Sequence, residues 1–231
     1  MFVFTVKPRV QGVTPELVDL FQDVGTSTIG HLTDFGFLKG LKPLFRPIHF
    51  VGNAVTVRLP HMDSTAVHKA LDFVEPGDVL VIDMSGDVER SCFGGIVSYA
   101  AKAKKVAGVI VAGSINDVEE IKEIQLPVFS LGVSPITTRI LGIEGEINTT
   151  VSVCGVSIHP GDLVVADNDG VFIINPKSAA KYAEIAIEKQ LREPETKRKI
   201  DSGISLASIS KADRFFTTEG QSESKEPTKV I

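Results

Sequence analysis

Between residues 64 and 130 the chain alternates segments of helical character with short, uninterrupted apolar runs, and few architectures accept that order. Helices are expected over Ser64–Phe73, Gly95–Lys104 and Asp117–Ile124, and strands over Val79–Met84, Val109–Ala112 and Val128–Ser130. Runs this short, with no polar residue at alternate positions, are strands covered on both faces. Strand, helix, strand in succession places such strands parallel in one sheet, with helices crossing over it. The core is therefore expected to be α/β.

The flanks read differently. Thr14-Pro15-Glu16 opens a short helix to about Phe21, with Thr14 as its cap and Pro15 in the first turn. Thr26-Ser27-Thr28 opens a second helix reaching Phe35, and a loop punctuated by Gly36, Gly40, Pro43 and Pro47 leads to a strand at Ala54–Leu59. After Ile140 strands return, at Ile147–Val153, Leu163–Ala166 and Val171–Ile174, and a helix from Pro176 to about Arg192 follows. Gly155 marks a tight turn, and Asp169-Gly170 a hairpin. One device is used twice: Pro76-Gly77-Asp78 leads into an apolar strand ending at Asp83, and 84 residues on Pro160-Gly161-Asp162 leads into another ending at Asp167. Residues 1–205 are expected to form one domain and 206–231 an extension, polar and mobile from Thr217 onwards.

Composition narrows the function classes. With 24 basic against 29 acidic residues, a net charge of -5 and no basic stripe, the chain has no footprint for a nucleic-acid backbone. Its longest run free of charged or strongly polar residues, Val106 to Gly113, is far short of the roughly 20 apolar residues that cross a bilayer. Met1–Val6 lacks the basic flank and length of a secretion signal, so a cytoplasmic protein is expected. Cys92 and Cys154 have no metal-site spacing and read as small buried hydrophobes.

Chemistry is best placed between Asp83 and Asp117, where strand ends, a glycine pair and a helix start come together, because ligands in open α/β sheets gather at such ends. The backbone amides of Gly94, Gly95, Ile96 and Val97, at the positive end of a helix, suit a carboxylate or phosphate. Asp117 suits either of two roles: N-cap of the following helix, or a single carboxylate ligand for Mg²⁺ or Mn²⁺. Asp167-Asn168-Asp169-Gly170 lacks the spacing and distal glutamate of a calcium loop and is read as a turn. His61 and His68 lie seven residues apart, an unfavourable spacing for a histidine metal site.

These segments, taken in order from Thr26-Ser27-Thr28 through Val51–Val57, Pro76–Asp83, Gly94-Gly95, Gly108–Asp117, Pro127-Val128-Phe129 and Gly155-Val156 to Pro160–Val171, resemble the RraA-like family. That family includes 4-hydroxy-4-methyl-2-oxoglutarate aldolases and the regulator of ribonuclease E activity, and some members have been labelled demethylmenaquinone methyltransferases. The resemblance implies a swivelling β/β/α domain in a ring-shaped trimer, sometimes a dimer of trimers, with active sites in clefts between subunits. It also implies a divalent ion and a pyruvyl group bound there.

Carried over residue by residue, Asp117 matches the metal ligand, Asn116 stands where the aldolases have an arginine, and Gly95 stands where they have an acid. A glutamate from a neighbouring subunit aligns with His31. Losing the arginine removes a two-pronged clamp on the substrate carboxylate, a role for which Arg90 is the replacement considered. Two readings follow. One is a metal-dependent lyase of aldolase or decarboxylase type, using Asn116 and Asp117 on a small 2-oxoacid such as pyruvate or oxaloacetate. The other is a non-catalytic trimeric binding or regulatory protein of the same fold.

Overall fold

The computed structural model describes residues 3–216. The expected mobile segment from Thr217 lies outside them. The chain forms two compact units, one reaching Ile187 and one starting at Glu188.

In the first unit the elements run β1 (Val3–Val6), α1 (Pro15–Phe21), α2 (Thr26–Gly30), β2 (Lys42–Pro43), β3 (Phe50–Arg58), α3 (Thr65–Ala70), β4 (Asp78–Asp83), β5 (Ser91–Phe93), α4 (Gly95–Ala103), β6 (Gly108–Ile115), α5 (Val118–Glu123) and β7 (Val128–Val133). They continue as β8 (Glu144–Ile147), β9 (Val151–Val153), β10 (Val156–Ile158), β11 (Leu163–Ala166) and β12 (Val171–Ile174), after which α6 (Pro176–Asp201) runs on into the second unit. There α7 (Leu206–Ser210) and a 3₁₀ turn at Ala212–Phe215 follow.

The centre of the main sheet is the parallel set β3-β4-β6-β7, as the alternation predicts. Successive residues serve opposite cores. Leu80, Ile82, Val109 and Val111 pack with Ala66, Val67, Ala101 and Ile121 of the helices. Val79, Val81 and Ile110 pack with Phe129, Val151, Val164 and Val171 on the other side. A third core gathers Phe21, Ile29, Val165, Phe172, Ala179 and Ala183.

The repeated Pro-Gly-Asp device is one local structure built twice. Gly77 and Gly161 take φ of +89° and +88°, which an L side chain rarely adopts. The aspartate that follows accepts the N–H three residues back, Glu75 to Asp78 at 2.7 Å and His159 to Asp162 at 2.8 Å. The strand-end aspartates also match, Asp83 accepting from Ser85 N at 2.8 Å and Asp167 from Asp169 N at 2.9 Å.

Several expected boundaries are corrected. The helix from Thr26 stops at Gly30 rather than Phe35, because the chain turns through Thr33, whose hydroxyl takes Phe35 N–H, into Gly36 at φ +88°. The strand expected over Ile147–Val153 is two strands, since Asn148 adopts φ +55° between them. The helix expected over Ser64–Phe73 is confined to Thr65–Ala70. The final helix passes Arg192 and Pro194 to Asp201, supported by Glu188–Arg192 and Glu195–Lys199 pairs one turn apart. Strands β1, β2, β5 and β10 are too short to carry a periodicity signal. No helix among the described residues is long and apolar enough to cross a membrane.

Asp63 ties the start of α3 to the segment preceding β8. Fully buried, its carboxylate accepts from Thr65 N and Oγ1, Leu141 N (3.1 Å) and Ile143 N (2.6 Å). Burial alone would raise its pKa, but these hydrogen bonds outweigh it and hold the group at about 2. Because the folded value lies below the ordinary 3.8, Asp63 contributes stability that is present above about pH 4 and is lost as pH falls towards 2. Asp63→Asn is expected to cost about 1–3 kcal/mol at pH 7 and to flatten the decline in stability below about pH 4, both read from urea melts across that range.

Candidate active site

The parallel strands deliver their loops to one cleft. It encloses about 190 Å³ and is lined by Ser64 and His68 from α3, Ser91 and Cys92 from β5, the α4 start Gly94–Val97, Asn116 and Asp117 after β6, and Thr137 and Thr138. All six positions singled out from sequence, Gly94, Gly95, Ile96, Val97, Asn116 and Asp117, therefore line the same space.

Asp117 does not cap α5 with its side chain. Its backbone lies in the left-handed region, φ 53° and ψ 45°, whereas a capping residue needs extended backbone. The turn points its carboxylate across to α4, where Oδ2 accepts Gly95 N–H at 2.9 Å and Asn116 Nδ2 at 2.8 Å. Oδ1 has no hydrogen bond among the described residues. Of the amides expected to cradle an anion, Gly95's is thus taken by Asp117. Those of Ile96 and Val97, second and third in α4, have no intrahelical acceptor.

Asn116 is fixed on both sides, its Oδ1 accepting from Ser91 Oγ at 2.8 Å while its Nδ2 donates to Asp117. It orients the aspartate and supplies no charge. A β-carbon at Gly94 would collide with the Asn116 amide, and one at Gly95 with the carboxylate of Glu120. Glu120, on the first turn of α5, therefore puts a carboxylate where a side chain at position 95 would begin. Sequence reading passed over it because the residue lies 25 positions away and reads as a solvated helix face.

Arg90 does not line the cleft. Its guanidinium pairs with Asp87 at 3.4 Å, and Asp87 also accepts the Glu89 and Arg90 amides. His61 stands beside the same carboxylate at 3.8 Å, so it and His68 belong to different surroundings. His31 follows the last residue of α2, outside the cleft. The Asp167 turn accepts Thr26 N at 2.7 Å and the Thr26 hydroxyl, which closes it as a structural hairpin.

The family model described as RraA-like, Aldolase/RraA, matches residues 14–173. This chain belongs to the RraA-like family. A protein of Halalkalibacterium halodurans provisionally named a 4-hydroxy-4-methyl-2-oxoglutarate aldolase is 34% identical over 191 residues, covering 82% of this chain and 90% of its own length. An uncharacterised protein of Methanocaldococcus jannaschii is 35% identical over 175 residues, covering 74% of this chain and 82% of its own. The crystal structure of Streptomyces coelicolor RraAS2, described as an unusual member of the RNase ES inhibitor RraA family, superposes with a TM-score of 0.74 at 27% identity, over 81% of this chain and 98% of that one. The mixed α/β fold is that of RraA structures.

Cys92 lines the cleft without being a nucleophile. Burial pushes its thiol up to about 12, and the Asp87 charge adds to the rise. Native protein at pH 8 is therefore expected to leave Cys92 unlabelled by iodoacetamide while urea-unfolded protein labels fully, as mass spectrometry would show.

Proposed function

We propose that this chain is a divalent-metal-dependent carbon–carbon lyase acting on a small 2-oxoacid of the pyruvate or oxaloacetate type. The observation that carries this reading is the Asp117 carboxylate, turned by a left-handed backbone into a small cleft beside the start of α4.

The donors fit Mg²⁺ or Mn²⁺. Asp117 keeps one carboxylate oxygen unengaged, and Glu120 brings a second carboxylate to Gly95, while no group of three or more His, Cys, Asp or Glu side chains able to hold a metal is found among the described residues. Carboxylate oxygens in so small a number suit a hard cation that retains several waters. Such an ion supplies Lewis-acid assistance to cleavage of a bond next to a carbonyl. The chain's own groups do the rest. Asn116 holds Asp117 in place, and the Ile96 and Val97 amides receive a carboxylate at the helix terminus.

A trimer belongs to the same proposal. Ile96 and Tyr99, one turn apart on α4, are 80% and 64% exposed, and Ile136, beside cleft-lining Thr137, is 57% exposed. Apolar side chains standing in water around a cleft are what a neighbouring subunit would cover. Sedimentation velocity at micromolar concentration is expected to give a trimer or hexamer; a monomer would refute the shared cleft.

The deciding assay follows pyruvate release from oxaloacetate and from 4-hydroxy-4-methyl-2-oxoglutarate with Mg²⁺ or Mn²⁺. Metal-dependent turnover is expected, reduced more than about 100-fold by Asp117→Ala and raised about 10-fold or more by Asn116→Arg. Wild-type protein inert under every condition would favour the regulatory reading. That alternative draws on Asn116, which carries no charge to hold a substrate.

A further inference from the structure

The cleft has an amide-lined wall for a carboxylate, yet the residue that precedes Asp117 is neutral and Arg90 is held on Asp87, away from the lining. Among the residues that line it, one side chain is basic: His68. We propose that His68 binds the carboxylate of the oxoacid, as the cationic or N–H donor partner that position 116 no longer supplies.

Three observations place it there. Ser64 and His68 stand four residues apart at the start and in the last turn of α3, so both face the cleft from one side of the helix. The α4 terminus and Asp117 form other parts of the same lining, so an acid seated on the Ile96 and Val97 amides lies between that wall and the α3 wall. The His68 imidazole makes no hydrogen bond among the described residues and is exposed, so its nitrogens are available to a ligand. Arg90 and His61 lack that freedom because both converge on Asp87.

An imidazole is a smaller and less permanent charge than a guanidinium. Its N–H groups, one in the neutral ring and two on separate edges in the cation, form no planar fork, so it holds a carboxylate at a single point. The consequence is a site that accepts a small oxoacid with less orientational control than an arginine imposes. That matches a cleft in which the amides of Ile96 and Val97 must supply the remaining hydrogen bonds.

This proposal rests on the oxoacid reading above, and the test separates the two. Pyruvate is titrated calorimetrically into the full chain with Mg²⁺, comparing wild type, His68→Gln, His68→Gln/Asn116→Arg and Arg139→Gln, the last being an exposed arginine one residue beyond the lining. His68→Gln is expected to weaken pyruvate binding about 10- to 100-fold. Adding Asn116→Arg is expected to restore it, because a cation returns to the other wall, an outcome that a merely structural role for His68 does not produce. Arg139→Gln is expected to bind as wild type does. Coincident thermal melts would show that each variant folds. Unchanged binding in His68→Gln, or a loss in Arg139→Gln instead, overturns the role of His68 and leaves the oxoacid reading standing. Failure of the wild type to bind pyruvate overturns both.

Discussion

Two-sided burial of the central strands is the constraint from which the rest of this structure follows. Every residue of β4 and β6 is buried, with the apolar side chains divided between the two cores, so neither strand offers a side chain to a ligand along its length. Chemistry is displaced to the strand ends, where the chain leaves the sheet and polar groups meet water. Asn116 and Asp117 follow the last residue of β6, and Gly94 follows the last residue of β5, which pairs in parallel with β6. The cleft is thus a product of strand register: pairing Phe93 with Ile115 brings the α4 start and the Asp117 turn side by side.

The carboxylates that enter the interior at Asp63 and Asp78 take several backbone or side-chain donors each. Asp78 receives Arg9 at 2.7 and 2.6 Å together with Glu75 N, and Asp63 receives three backbone amides and a hydroxyl. A buried charge so surrounded is tolerated, where an unpaired one would not be. These anchors act on the site at one remove. Asp63 fixes the segment that carries Thr137 and Thr138 against α3, and so sets the spacing of two walls of the cleft.

The strands and helices from 79 to 130 were legible because their periodicities are strong and their punctuation is glycine and proline. The Pro-Gly-Asp repeat was legible for the same reason, and both copies share their hydrogen-bond pattern. What escaped was set by non-local contacts. Asn148, at φ +55° and donating its side chain to Lys7 O at 3.1 Å, interrupts the segment expected over Ile147–Val153, and β1, β2 and β5 pair with strands distant in the sequence. At the site, the positions around Gly95 and Asp117 could be singled out, but their bonding could not. That Asp117 reaches back to Gly95 N rather than to its own helix depends on a left-handed turn that no local pattern encodes. His68 and Glu120 come from helices whose sequences say only that one face is solvated.

The two departures at positions 95 and 116 are best understood together. The resemblance places an acid and an arginine at these positions, opposite charges whose joint loss leaves neither one unpaired. Had only the arginine gone, an acid at 95 would face Asp117 across the α4 terminus with no cation between them. The first amide of the helix donates to Asp117, and because position 95 has no β-carbon the Glu120 carboxylate lies over it, on a flexible side chain. Negative charge is thereby kept close to Asp117, while neutral Asn116 stands where the resemblance places an arginine and holds Asp117 by a hydrogen bond. On the oxoacid reading proposed above, such a site keeps a carboxylate for a cation and lacks the charged clamp for the anion, and within the cleft's lining the one basic side chain is the His68 imidazole of α3.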